Sequence, residues 1–341
     1  MVFVILISLI VAFLATFFAT RFLIKFLLNA GIVGIDQHKK DKPKLPSSGG
    51  MCVSIGILAG LLTYIGLTTF LYGVSNEVLY LFAIISSVLI VTLVGLFDDL
   101  NVRSKMTKSK NEMDIRVGLP QWLKPILTLP GAIPLMVVSA GVSTMSLPFI
   151  GAVDFGIIYP LLLIPIGVVG ASNAINMLGG FNGSETGMGI VYMAALALFA
   201  LMSQNSIAPL FLIVTVSLIA FVFYNWFPAK ILPGDSLTYL LGALVVSGII
   251  VGNMEKLGIL LLLPFIVEFF LKLRSGFKAS CLGKIRADGK LNPPYGKKIY
   301  SLTHFFMILK PMTEKQVALS LILLQVVVSI VALFLVYFRY V

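Results

Sequence analysis

The chain has 341 residues, 59% of them hydrophobic and 11% charged, with a formal net charge of +11 and a mean hydropathy of +1.04. That charge content is about half the ~25% of soluble domains; it excludes a water-soluble fold, and recurrent apolar runs of about 20 residues predict an all-α polytopic membrane protein. A membrane β-barrel is excluded as well, because barrel strands alternate in hydropathy and these runs do not.

Ten spans are predicted in chain order, near residues 1–24, 51–73, 78–97, 123–142, 156–173, 187–203, 207–225, 236–252, 256–272 and 316–338. Arg21 and Lys25 follow the first run without a small-residue cleavage signature, which reads as a retained span. Pro160 and Pro165 interrupt the fifth, which membrane helices tolerate when neighbours satisfy the freed carbonyls. Ten spans put the loops after spans 1, 3, 5, 7 and 9 on one side, and 23 of the 25 Lys and Arg fall there, leaving only Lys256 and Arg339 opposite. The positive-inside rule makes that side cytoplasmic and places both termini outside. The net charge is thus a topology signal, and no nucleic-acid partner is expected. Cys52 and Cys281 lie in contexts that disfavour a mutual disulfide, and no zinc-ligand spacing is present.

The inner loops carry polar residues that span formation does not need. The first, GIDQHKKDKPKLPSSGG, gathers Asp36, Lys39, Lys40, Lys42 and Lys44 around prolines and glycines that restrict the chain and then permit close backbone approach. At the end of span 3, GLFDDLN places Asp98 and Asp99 at the membrane surface. On a continuing helix they point about 100° apart, so distinct roles are expected; a solvated helix end is the alternative. After span 5, NAINMLGGFNGSETGMG sets Asn173 and Asn176 on one helix face, with Asn182 beyond the glycines. After span 7, YNWFPAKILPGDSLTY brings Asp235 to the start of span 8, as a metal ligand or as a helix N-cap. Within span 9, Glu268 reads either as a functional intramembrane carboxylate or as the partner of Lys272 or Arg274. Carboxylates, amides and lysines together suit a phosphorylated anion with Mg²⁺, which takes oxygen ligands from one or two carboxylates plus substrate phosphates. No Walker A or GxGxxG run is present.

The four motifs KPKLPSSGG, GLFDDLN, NAINMLGGFNG and YNWFPAKILPGDS, all on one side of the membrane, together resemble the polyprenyl-phosphate N-acetylhexosamine-1-phosphate transferases over nearly the whole chain. NAINMLGGFNG is more similar to the UDP-GlcNAc:dolichyl-phosphate GlcNAc-1-phosphate transferases than to the phospho-MurNAc-pentapeptide translocases. The resemblance implies transfer of GlcNAc-1-phosphate from UDP-GlcNAc to a polyprenyl or dolichyl phosphate in the membrane. It implies that Asn176 and Asp235 bind Mg²⁺, with Mn²⁺ as a substitute, that Asn182 contacts the uracil, and that one of Asp98 and Asp99 acts on the lipid phosphate. Lys124 matches a pyrophosphate-gripping lysine, although a basic insertion from Ser104 to Gln121 precedes it. Lys284, Arg286 and His304 stand where the family carries its sugar-recognising basic cluster; His304 as a core residue is the alternative. Asn173 and Lys42 complete the substrate-contact candidates, and a homodimer is a further expectation. Two rival functions are the same chemistry with another UDP-sugar and a secondary transporter, which shares interrupted helices and intramembrane carboxylates.

Overall fold

In hydrocarbon every backbone N–H and C=O must be satisfied within the segment, so the apolar runs fold as helices. The computed structural model describes residues 1–101, 106–108, 114–116, 118–147 and 151–338. Arg339 and part of the basic insertion between Ser104 and Gln121 lie outside the described residues. Eight helices are long and apolar enough to cross a membrane. They are α1 (Val2–Asn29), α2 (Gly49–Tyr72), α3 (Asn76–Asn101), the continuous run Tyr159–Asn176 that ends in α6 (Ile164–Asn176), α7 (Ser184–Met202), α8 (Ala208–Asn225), α9 (Gly234–Gly252) and α13 (Glu314–Tyr337).

The other two expected spans are broken by proline. Span 4 becomes α4 (Leu123–Thr128), a 3₁₀ turn (Leu129–Ala132) and α5 (Ile133–Val137), with Pro130 and Pro134 at the starts of the last two. Span 9 becomes α10 (Glu255–Leu261) and α11 (Leu263–Leu273), with Pro264 opening α11. Proline lacks the N–H that continues a helix and is tolerated in a first turn, so each run restarts there. The described residues thus form a multi-pass membrane protein with eight helices long enough to span, the other two expected spans being broken into shorter helices. Four two-stranded hairpins occupy the loops, β1–β2 (Val33–Ile35, Lys44–Pro46), β3–β4 (Met106–Lys108, Asp114–Arg116), β5–β6 (Thr144–Leu147, Gly151–Asp154) and β7–β8 (Lys284–Ile285, Leu291–Asn292). The short helix α12 (Leu302–Leu309) precedes α13.

Helix α9 is the hub, buried along nearly its whole length between α3, α6, α2 and α7. A helix apolar all round belongs in such a place. Close approach relies on small residues, as is usual in membranes. A Cβ on Gly95 of α3 would lie 2.6 Å from the Asp235 carbonyl oxygen, and Gly56 of α2 seats against Thr16 of α1. Polar side chains inside the bundle return to their own helix: Thr16 Oγ1 donates to Ala12 O at 2.9 Å and Thr20 Oγ1 to Thr16 O at 2.7 Å. The outer helices α1 and α13 expose Phe18, Phe22, Ile330 and Phe334, the apolar exterior that lipid requires.

Candidate active site

The loops predicted to share one side are joined through their backbones. Leu232 N donates to Pro46 O at 2.8 Å, and Gly49 N and Gly50 N donate to Leu232 O and Pro233 O at 3.1 and 3.2 Å. The restricted KPKLPSSGG run is thereby laid along the segment that enters α9. Gly234 opens that helix at φ +69°, a left-handed conformation natural to glycine, and a Cβ there would strike Asp99 Oδ2.

Asp98 and Asp99 diverge as their helical spacing requires. Asp99 turns inward: its carboxylate accepts from Asp235 N at 2.9 Å, Ser236 N at 3.2 Å and Ser48 Oγ at 2.8 Å. It is the cap of α9, satisfying two first-turn N–H groups from another helix. This resolves the open reading of Asp235: it is the second residue of α9, and the cap is supplied by Asp99. Asp98 faces the other way, accepting from Leu119 N and from Lys124 Nζ at 3.0 Å. The same ammonium lies 2.9 Å from Asp235 Oδ2, and Asn176 Nδ2 reaches that oxygen at 3.2 Å. Thr238 Oγ1 donates to Asn176 Oδ1 at 2.6 Å. Four candidates from α3, α4, α6 and α9 therefore meet, with one ammonium between two carboxylates.

Asn173, on the same face of α6 as Asn176, ties helices together: it donates to Thr128 Oγ1 at 3.2 Å and accepts from Tyr239 OH at 3.3 Å. Asn182 joins a second cluster, donating through its backbone N to Glu314 Oε1 and through Nδ2 to Asp36 Oδ2, each at 3.0 Å. Lys39 bridges Asp36, at 3.3 Å, and Glu314, and lies 4.2 Å from the centre of the Phe227 ring. His38 stacks on Phe181 and accepts from Gly283 N at 3.2 Å through Nε2, which places its proton on Nδ1, 3.9 Å from Glu314 Oε1. Burial holds the imidazole neutral, its pKa pushed down to about 4.

Between the two clusters opens a cavity of ≈ 680 Å³, lined by residues that include Asp36, Lys44, Asn176, Asn182 and Asp235. That is within the range of small-molecule sites. Seven candidates lie outside this lining: Asp98, Lys124 and Asn173, placed above, and Lys42, Lys284, Arg286 and His304. Lys42 sits half-buried in the β1–β2 turn at φ +44°, and Lys284 and Arg286 are exposed on the β7–β8 hairpin, Arg286 3.3 Å from Asp288. His304 is fully buried in α12, where Nδ1 accepts from Tyr300 N at 3.3 Å and burial lowers its pKa to about 4. Glu268 pairs with Lys272 at 3.6 Å and accepts from Leu302 N at 2.8 Å, which makes it an anchor for α12. Cys52 and Cys281 are both free thiols.

Sequence reasoning missed two acidic groups. Glu314 stands outside the predicted last span, although the Thr313/Gln316 capping box marks the helix start that includes it. Glu185 shapes the glycine loop by accepting from Gly180 N at 2.7 Å and Ser184 Oγ at 2.6 Å; it lay inside the quoted motif but was not singled out.

A polytopic helical bundle with a cavity at one end, whose lining includes carboxylate, amide and lysine side chains, defines a membrane enzyme for anionic substrates. Residues 81–253 match the family described as glycosyl transferase family 4, and the chain belongs to that family. It is 36% identical over 307 residues to the "Putative UDP-N-acetylglucosamine--dolichyl-phosphate N-acetylglucosaminephosphotransferase" of Saccharolobus solfataricus, covering 89% of this chain and 88% of that one. The protein of the same name from Sulfolobus acidocaldarius is 33% identical over 89% of this chain and 87% of its own. The UDP-N-acetylglucosamine--dolichyl-phosphate N-acetylglucosaminephosphotransferase of Dictyostelium discoideum is 26% identical over 87% of this chain and 79% of its own.

Proposed function

We propose that the chain transfers GlcNAc-1-phosphate from UDP-GlcNAc to a polyprenyl phosphate of the dolichyl type, at a site that faces the cytoplasm with both termini outside. The observation that carries this reading is the meeting of Asp98, Lys124, Asn176 and Asp235, the last two of which line one cavity. An oxygen of the lipid phosphate attacks the β-phosphorus of the donor; the bond from that phosphorus to the bridging oxygen breaks, and UMP leaves. Two anions must meet for this, so positioning and charge compensation are the chief requirements. Lys124 supplies an ammonium to the diphosphate. Asp98 holds Lys124 in place and orients the acceptor, and no base is needed because a phosphate monoester is already ionised near neutral pH. Asn182 meets the uracil.

The donor set also suits Mg²⁺. Among the described residues no three Asp, Glu, His or Cys side chains group into a cage. Asp235 and Asn176, with Asp98 close by, offer hard oxygens for a partial one, and Mg²⁺ is commonly held by one or two carboxylates plus substrate phosphates. Bound there, the ion would supply positive charge against the diphosphate and the leaving UMP.

The transporter reading is weaker, since Glu268 is committed to α12 and both ionic clusters border the cavity at the end of the bundle. The test is release of UMP by the purified protein given UDP-GlcNAc, polyprenyl phosphate and Mg²⁺, with UDP-GalNAc and a UDP-MurNAc-peptide as competing donors. No UMP with any donor defeats the proposal; a preference for another donor changes the substrate and leaves the chemistry.

A further inference from the structure

Asn182 has two donor nitrogens on the cavity wall, and each makes one hydrogen bond to a carboxylate. Its backbone N–H goes to Glu314 and its side-chain Nδ2 to Asp36. Among the described residues, Oδ1 is the one polar atom of the side chain without a hydrogen-bond partner. A carboxylate only accepts, so Asp36 fixes which way round the amide sits, and Oδ1 is the acceptor that Asn182 can offer a molecule in the cavity, beside the second N–H of Nδ2. Lys39, bridging Asp36 and Glu314, holds the two carboxylates in register, and its contact with Phe227 holds it there.

We propose that Asp36, Lys39 and Glu314 are positioning residues that fix the orientation of the Asn182 amide, so that its Oδ1 meets a ring N–H and the donor site selects uracil over cytosine. This rests on the transferase reading for the identity of the ligand, but the filter itself acts on the nucleotide alone. Uracil presents N3–H where cytosine presents a lone pair. Two acceptors would then face each other, and cytosine could use its amino group only by shifting in the cavity. Discrimination based on a buried group left unpaired is large, on the order of 10² or more.

The experiment compares UMP and CMP binding to the full-length protein in detergent by titration calorimetry, beside UDP-GlcNAc turnover. Wild type is expected to bind UMP at least about tenfold more tightly than CMP. In Asp36→Asn the new amide can either accept or donate, so Asn182 is free to flip. That variant is expected to narrow the preference to within about threefold and to raise KM for UDP-GlcNAc by about tenfold, with kcat much less affected. Glu314→Gln still accepts from the Asn182 N–H and is expected to narrow the preference less, which a merely structural role would not predict. A preference in Asp36→Asn within twofold of wild type, or one no narrower than in Glu314→Gln, overturns the proposal. So does wild-type turnover without base preference. Preferential UMP binding with no UMP released from UDP-GlcNAc and polyprenyl phosphate instead supports the filter and overturns the transferase reading.

Discussion

The cavity lies between two arrangements of the same composition. In each, a lysine bridges two carboxylates and an asparagine hydrogen-bonds one of them: Asp98, Lys124, Asp235 with Asn176, and Asp36, Lys39, Glu314 with Asn182. They differ in access. The contrast lies in one carboxylate, Asp235 at 20% exposed against 6% for Asp98 and 4% each for Asp36 and Glu314, while the lysines run the other way, Lys39 at 19% and Lys124 at 9%. They differ also in construction, since the first joins the ends of α3, α4, α6 and α9 while the second ties the first inner loop to the start of α13. An ion triad with an open carboxylate beside a cavity can exchange its lysine contacts for phosphate. A closed triad whose removal would strand buried charge instead fixes whatever is bonded to it. Composition alone thus does not distinguish a reacting cluster from a positioning one; access does.

The strongest way to break this comparison is to remove the open carboxylate. Asp235→Ala and Asn176→Ala should each lower UMP release by on the order of 10³ or more, with the elution profile in detergent unchanged; comparable turnover in either removes the metal-site assignment. Addition of EDTA to wild type should have a similarly large effect, reversed by Mg²⁺. Lys124→Met comes next, at about 10² in kcat/KM. If Lys39→Met were to match it in kcat, the two clusters would not differ in the way described.

How much of this was legible in the sequence follows the same division. Helices were readable because length and hydropathy are local properties. Two spans that proline splits were read as continuous, since their apolar content is uninterrupted. In the open cluster Asp98, Asn176 and Asp235 sit in short motifs at helix ends, while Lys124 was nominated by the family resemblance. In the closed cluster Asp36, Lys39 and Asn182 lay in quoted motifs, but Glu314 comes from 275 residues beyond Lys39, and nothing local announces that pairing. His304, Lys284 and Arg286 illustrate the converse: family position nominated them, and packing sets His304 into α12 and the other two onto an exposed hairpin.

Acid should sharpen the contrast from the side of the closed cluster. His38, facing Asp36, Lys39 and Glu314, has its pKa lowered from 6.5 to about 4 by burial, so the folded state binds fewer protons than the unfolded one between those values. The stability it confers is complete above pH 6.5 and is lost as pH falls toward 4, by up to about 3 kcal/mol. His38→Asn should therefore flatten the fall in melting temperature between pH 7.5 and 4.5 relative to wild type. An unchanged slope would show that the imidazole does not stay neutral in the folded protein.

The smallest effect separates the two neighbours at the end of α3. Asp99 caps α9 and holds Ser48, so Asp99→Ala should cost about 1–2 kcal/mol of stability, the usual value for a lost helix cap. Melting temperature in detergent should fall by several degrees. Asp99→Asn keeps one acceptor oxygen and should recover part of that loss together with part of the activity, because the residue acts on the position of Asp235 and not on substrate. Asp98→Asn should behave in the opposite manner, nearly neutral in melting temperature and severe in turnover, since it weakens the hold on Lys124. Were Asp99→Asn to abolish turnover at unchanged stability, the acceptor-directed role would belong to Asp99, and the open cluster would have to be redrawn around it.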